Sequence, residues 1–382
     1  MRVPLGDSAA LVRELVRVDS RNPSLVPGGP GEGSVARLLA EVLGDWGLDA
    51  QLQEVVPGRP NVVAKLRGAG GGRSLMLNGH IDVVGVEGMS HPPFDALENG
   101  GRIYGRGACD MKGGVAAMCA AAAQLRGQVK GDLVLAAVVD EEWKSLGTTA
   151  LIASGIRADA AIVTEPTGLA IMPAHRGFVW MEILVHGRAA HGSRWDVGVD
   201  AIRHAGLLLA ELDRIDAEEL PRSTHPLLGR ASVHAAVIEG GIGLSTYPDR
   251  CILRIERRTI PGESVADVCA EVDRACARVR DKRPEFRVDV DVLFSQPPSD
   301  VDPNAGIVCA LSEVLRREKL STSLLGMSAW TDAALLNAAG IPAICFGPGD
   351  VGLAHAAEEY IEVREIQRAT EVIVSLARSW CN

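Results

Sequence analysis

Five short stretches of this 382-residue chain put metal-type ligands where the backbone turns. They are Gly79-His80-Ile81-Asp82, the run from Gly107 to Gly114 around Asp110, Asp140-Glu141-Glu142, Thr164-Glu165-Pro166 and, near the C-terminus, Ala354-His355-Ala356. Together they supply two histidines and several carboxylates, a set found nowhere else in the sequence. Imidazole nitrogens and carboxylate oxygens in that number are the ligand chemistry of a two-metal hydrolytic centre.

Each stretch also has a plainer reading. His80-Ile81-Asp82 is either a metal-binding imidazole whose second nitrogen a carboxylate holds, or a turn at a strand end. Asp110 can cap the helix that follows it, yet its two oxygens can also bridge two cations, and Gly113-Gly114 lets the backbone come close. Glu141 and Glu142 are adjacent, so their side chains should diverge. One can bind metal while the other serves as a general base, or both can belong to a solvated acidic loop. Glu165 before Pro166 can simply end a strand, and His355 lies among small residues that suit a crowded site. By chemistry alone His191 and Arg258 read as surface or packing residues. His175 is the remaining histidine to re-examine, because it opens the middle region. Cys109 can be a soft ligand, but no second thiolate accompanies it.

The elements that must position these groups follow from periodicity. Ser8 to Val18 and Val35 to Trp46 have helical spacing, and the Ala-rich run Gly113 to Leu125 reads as a buried helix. Ser74 to Leu77, Leu133 to Val139, Ala160 to Val163 and Ala343 to Phe346 are short apolar runs. Continuous apolar strands separated by helices indicate a largely parallel α/β sheet. His80 with Asp82, the Asp140–Glu142 triplet and Glu165 each follow one of these strands, where open α/β sheets carry their sites. The middle region changes to period two, in Val179 to Val185, Ile252 to Ile255 and Arg287 to Leu293, with helices at about 199–212 and 264–279 between. An inserted α+β domain at 174–295 is expected, dividing a catalytic domain into 1–173 and 296–382, which a helix from Glu365 to Trp380 closes.

Bulk properties bound the partners. A chain of this length favours two domains. The net charge of −10 argues against nucleic acid and anionic membranes. The basic run Arg278 to Arg287 is broken by Asp281 and Glu285 and reads as a solvated helix end. No stretch is apolar and long enough to span a bilayer, and the N-terminus lacks a signal-peptide core. The eight cysteines form no Cys-x-x-Cys pair. Several, such as Cys119, Cys309 and Cys345, sit in apolar runs, so buried reduced thiols in a cytoplasmic protein are expected.

In order along the chain these motifs resemble the dinuclear-zinc M20 metallopeptidases, the group of acetylornithine deacetylases, succinyl-diaminopimelate desuccinylases, aminoacylases and glutamate carboxypeptidases. The resemblance is carried by Gly79–Val84, Gly105–Gly114, Asp140–Glu142, Thr164–Pro166, Gly187–Ser193, Arg258–Glu263 and Phe346–His355. It implies two divalent ions, zinc being expected and cobalt or manganese able to substitute. His80, Asp110 and Glu165 would hold one, and Asp110, Glu142 and His355 the other. It further implies Asp82 as the group orienting His80, Glu141 as general base, His191 as a polariser of the substrate carbonyl and Arg258 as the grip on a substrate carboxylate. A cis peptide at Asp110-Met111 and a homodimer formed through the inserted (lid) domain are implied too. Ser245 stands where many members have asparagine, so that residue's substrate contact does not carry over.

The expected reaction is hydrolysis of an N-acyl amino acid of the acetylornithine or succinyl-diaminopimelate type. A dipeptidase or carboxypeptidase acting on a short peptide is the alternative from the same centre. A catalytically silent binding protein is a reading from another class, which loss of a ligand or of the base would favour. A nucleotide-binding enzyme is a third, but no Gly-x-Gly-x-x-Gly opens a helix after a strand.

Overall fold

The computed structural model describes residues 3–382. The chain divides into two compact units, one formed by the stretch ending at Pro173 with Val301–Leu325 and Thr331–Asn382, the other by Ala174–Asp300 with Gly326–Trp330.

The first unit begins with helices α1 (Ser8–Val16) and α2 (Gly33–Asp45), each burying one apolar face. A hairpin follows, β1 (Ala50–Val56) and β2 (Arg59–Leu66). Then come β3 (Leu75–His80), α3 (Gly113–Gln124), β4 (Leu133–Val138), α4 (Leu146–Ala153), β5 (Ala160–Val163) and β6 (Ile171–His175). β3 pairs parallel with both β4 and β5, and every residue of these three strands is buried. Residues covered on both sheet faces have no reason to alternate, which is why the sequence shows unbroken apolar runs. Helix α3 is buried from Gly113 to Ala123. It packs against α1 and the closing helix, and its methyl-sized side chains allow that close approach.

The second unit carries β7 (Gly177–His186), α5 (Ala201–Arg214), β8 (Ser232–Gly240), β9 (Arg250–Thr259), α6 (Val265–Lys282) and β10 (Arg287–Gln296). The sheet is antiparallel in the order β8-β9-β7-β10. Alternate residues of β7 and β9 (Val179, Met181, Ile183, Val185; Cys251, Leu253, Ile255) share one core with Leu208, Leu212, Val268 and Val272 of the two helices. This is the half-exposed sheet that period two implies. Lys282 ends α6 and pairs with Glu211, and Arg278 pairs with Glu211 and Glu219, while Arg280, Arg283 and Arg287 are exposed.

The chain returns to the first unit through α7 (Gly306–Arg317), α8 (Ala333–Ala338), β11 (Ala343–Cys345) and α9 (Val363–Trp380). β11 pairs parallel with β5 and antiparallel with β6. The central sheet is therefore mixed, with parallel strands β4-β3-β5-β11 inside and antiparallel strands outside. The cysteines are all free. Cys309 is exposed rather than buried, because it lies on the outward side of α7 whose apolar face is Ile307, Val308, Leu311 and Val314. Among the described residues no helix is long and apolar enough to cross a membrane.

A Cβ added at Gly114 would lie 1.9 Å from the Thr164 carbonyl oxygen, so Gly114→Ala is expected to lower stability by about 1–3 kcal/mol in urea unfolding. Gly44→Ala in α2, where nothing lies within 4 Å, is the matched control and should cost nothing. At the end of β6, where the second unit begins, His175 is buried, donates from Nδ1 to the Arg176 carbonyl at 2.9 Å and leaves Nε2 without a partner. Burial pulls its pKa down to about 4. The folded form thus binds fewer protons than the unfolded one, and stability is lost as pH falls from the usual histidine value toward 4. Between pH 7 and pH 5 the loss should be about 2 kcal/mol and be absent in His175→Phe; equal losses in both proteins would exclude His175 as its source.

Candidate metal centre

Four parallel strands end at one edge of the sheet, and the candidate ligands follow those ends. His80 is the last residue of β3, Asp140–Glu142 follow β4, Glu165 follows β5 and His355 follows β11. Asp110 arrives differently, from an irregular turn just before α3. Its backbone is not helical (φ −115°, ψ 96°), the Asp110-Met111 peptide is cis, and α3 has no side-chain cap. Asp110 is therefore not a helix cap.

The side chains converge. His80 Nε2 lies 3.1 Å from Asp110 Oδ1 and 4.0 Å from Glu141 Oε2. His355 Nε2 lies 3.0 Å from Glu142 Oε2 and 3.5 Å from Asp110 Oδ2. Asp110 thus faces one histidine with each oxygen, the arrangement a bridging carboxylate needs. Ligand atoms of His80, Asp110 and Glu142 all lie within 4.8 Å of one another. Glu165 is buried and feels the charges of His80, Asp110, Asp332 and Glu142.

The electrostatics describe a site short of positive charge. Burial, reinforced by Glu165, Asp332 and Glu142 against the pull of His80, pushes the Glu141 carboxyl well above its usual range. Burial and neighbouring acids do the same to Glu165. Burial raises Asp332 to about 6, and one of its oxygens has no hydrogen-bond partner. The imidazoles respond in the opposite sense. His355 rises to about 9 through its bond to Glu142. Burial opposes protonation of His80, yet Asp110 and Asp82 hold its pKa well above the ordinary value. Carboxylates are buried together at such cost only where cations compensate them. Oxygen and imidazole donors fit zinc, cobalt or manganese. Cys109 is buried and its thiol pushed far up by burial and by the charges of Asp110 and Glu359, which disfavours the thiolate a metal would need.

A second layer aims these groups. His80 Nδ1 bonds the Asp82 backbone carbonyl at 3.0 Å, closer than the Asp82 carboxylate at 3.5 Å. The carboxylate instead accepts from the backbone N–H groups of Glu141 and Glu142, each at 3.2 Å, and from Asn22 Nδ2 at 2.8 Å. Asn22 Nδ2 also donates to Asp140 at 3.0 Å. Arg59 donates to both Glu32 oxygens at 2.6 Å and to Asp140 at 2.9 Å, and Asp140 N donates to Glu32 at 3.1 Å. This network holds Asp140 in the left-handed region (φ 67°), which turns the chain sharply so that Glu141 and Glu142 face the cluster. Asn22, Glu32, Arg59 and Asp332 carry no local signal in the sequence.

His191 and Arg258 belong to the second unit. His191 is exposed, and its Nδ1 accepts from Ser193 N at 3.2 Å. Arg258 pairs with Glu256 at 2.6 Å and lies 5.4 Å from the Phe178 ring centroid. Its neighbour Arg257 is buried and clamped by Glu263 and Glu271, so the two arginines have opposite environments.

Comparison with known proteins identifies the family. The chain is 31% identical over 377 residues to the N-formyl-4-amino-5-aminomethyl-2-methylpyrimidine deformylase of Bacillus subtilis, covering 90% of this chain and 88% of the relative. It is 31% identical over 328 residues to the acetylornithine deacetylase of Myxococcus xanthus, covering 84% of each. A solved dinuclear metal binding peptidase from the M20 family of Bacillus subtilis superposes with a TM-score of 0.74 at 17% identity, over 97% of this chain and 96% of that one. The model of peptidase family M20/M25/M40 matches residues 76–379. The chain belongs to that family and is an amide-bond hydrolase.

Proposed function

We propose that the chain removes the acyl group of an N-acyl amino acid, with Glu141 as general base beside two divalent cations, zinc by donor type. The observation that carries the reading is the convergence of His80, Asp110, Glu142 and His355, with Glu141 4.0 Å from His80. In this reading His80, Asp110 and Glu165 hold one cation, and Asp110, Glu142 and His355 the other. Cations held by these residues would supply polarisation of the acyl carbonyl and a lowered pKa for bound water. Glu141 takes the proton from the attacking water and returns it to the leaving amine. Asp82 fixes the backbone of the base and of its neighbour together.

His191 polarises the carbonyl oxygen. With Nδ1 accepting from Ser193 N, the neutral ring carries its proton on Nε2, the form that can donate to an oxyanion. Arg258 grips the substrate carboxylate. The second unit dimerises. Its edge strand β8 exposes Ile238 (55%), and Ile242 (88%) and Leu244 (109%) follow it, apolar area suited to a second copy.

The deformylase relative favours a second reading, removal of formyl from an aminomethylpyrimidine. The two substrate classes differ in one chemical respect: an N-acyl amino acid has a free carboxylate, and the pyrimidine named has none. Arg258 is therefore the residue that separates them. Turnover of N-acetylornithine, N-succinyl-diaminopimelate, dipeptides and the formylated aminomethylpyrimidine, with zinc, cobalt or manganese added, decides between the readings. Glu141→Ala is expected to keep its metal, measured by atomic emission, and to lose turnover by roughly 100- to 10,000-fold. Normal turnover in that variant removes Glu141 from the base role. Arg258→Ala should raise KM roughly ten- to hundredfold for carboxylate substrates. An equal rise for the pyrimidine excludes a carboxylate grip.

A further inference from the structure

We propose that Glu359 is a positioning residue for the second cation, acting with Arg106 as a buried latch between the turn that bears Asp110 and the loop that bears His355. The inference rests on the two-cation reading above.

The turn before α3 has no regular ladder to satisfy its backbone. Gly107 is left-handed (φ 81°), and Asp110 and Met111 are not helical. The amides of Cys109 and Asp110 are bound by a side chain instead, Glu359 Oε1, at 3.0 and 3.1 Å. The other oxygen of Glu359 accepts from Arg106 Nη1 at 2.6 Å. Arg106 and Glu359 are 3% and 1% exposed. Arg106 also donates from Nε to the Gly85 carbonyl at 2.8 Å, and Gly105 N donates to the Glu359 carbonyl at 3.1 Å. A short antiparallel pairing, Arg102–Tyr104 with Tyr360–Glu362, fixes the register of both segments. The carboxylate thus sets the direction of Asp110 directly and that of His355 through the three residues between Glu359 and His355.

The effect should fall on one cation more than the other. His80 and Glu165 sit at strand ends held by the sheet. His355 lies on a loop, with a left-handed backbone (φ 60°) and a side chain 52% exposed. The latch ties that loop to the Asp110 turn, beside the contact of Cys109 Sγ with the Asp350 carbonyl at 3.3 Å. Loss of a hydrogen-bonded support behind a ligand typically weakens metal binding about 10- to 100-fold.

Stepwise zinc affinity by calorimetry, with the visible absorption of the cobalt form as a second readout, tests this. Glu359→Leu alone leaves Arg106 buried and unpaired, so the double variant Arg106→Met/Glu359→Leu removes both charges. Glu359→Asp keeps the charge but shortens its reach. In both variants the second ion should bind about tenfold more weakly or worse while the first stays within about threefold. The cobalt spectrum of the first site should be unchanged. Two affinities that match the wild type, or two that fall equally, overturn the latch. A wild-type protein that takes up one ion overturns the two-cation reading itself, with or without the variants.

Discussion

The constraint on which this structure turns is the mutual repulsion of carboxylates buried at one sheet edge. Asp110, Glu141, Glu142, Glu165 and Asp332 lie within electrostatic reach of one another, and burial pushes three of them well above the ordinary carboxyl range. Two imidazoles lean the other way. No gain in packing explains such a grouping, because each charge removed from water costs several kcal/mol. In the two-cation reading proposed above, bound ions would offset that repulsion. The parallel strands, the Ala-rich helix and the glycines around Asp110 are the means of bringing them together.

Around that centre the surroundings divide into two supports. One runs from Arg59 through Glu32, Asp140, Asn22 and Asp82 and governs the loop of Glu141 and Glu142. The other joins Arg106 to Glu359 and governs the turn of Asp110. Each contains a buried arginine whose acids are bound on more than one side. An arginine pairs with two acceptors in a fixed plane, so it can hold two segments in register where a lysine would hold a point.

What could be seen in the sequence was whatever local pattern records. The apolar runs ending in His80, Asp140 and Glu165 were legible because a strand covered on both faces needs no polar residue until it ends. The alternating strands of the second unit were legible for the opposite reason, one face being wet. The β1–β2 hairpin was missed, since β1 is largely exposed and β2 is interrupted by Arg59, Pro60 and Asn61 at its start. Strand β8 was missed because it is an edge with little buried surface. Asn22 and Glu32 lie in a Pro/Gly-rich segment, where polar residues read as solvated. Their importance comes from partners tens of residues away, which no window along the chain contains. The His-x-Asp spacing brings Asp82 to His80 Nδ1 through its backbone carbonyl at 3.0 Å and its carboxylate at 3.5 Å.

That one carboxylate, Asp82, receives the successive amides of Glu141 and Glu142 has a consequence for how this enzyme can change. The residue assigned to proton transfer and the residue assigned to ion retention share a single anchor. A substitution that nudges either must drag its neighbour, so acidity and metal retention are yoked traits rather than separate dials. Directed evolution toward a new pH range should therefore find its improvements outside this triplet, where one property can shift without spoiling the other.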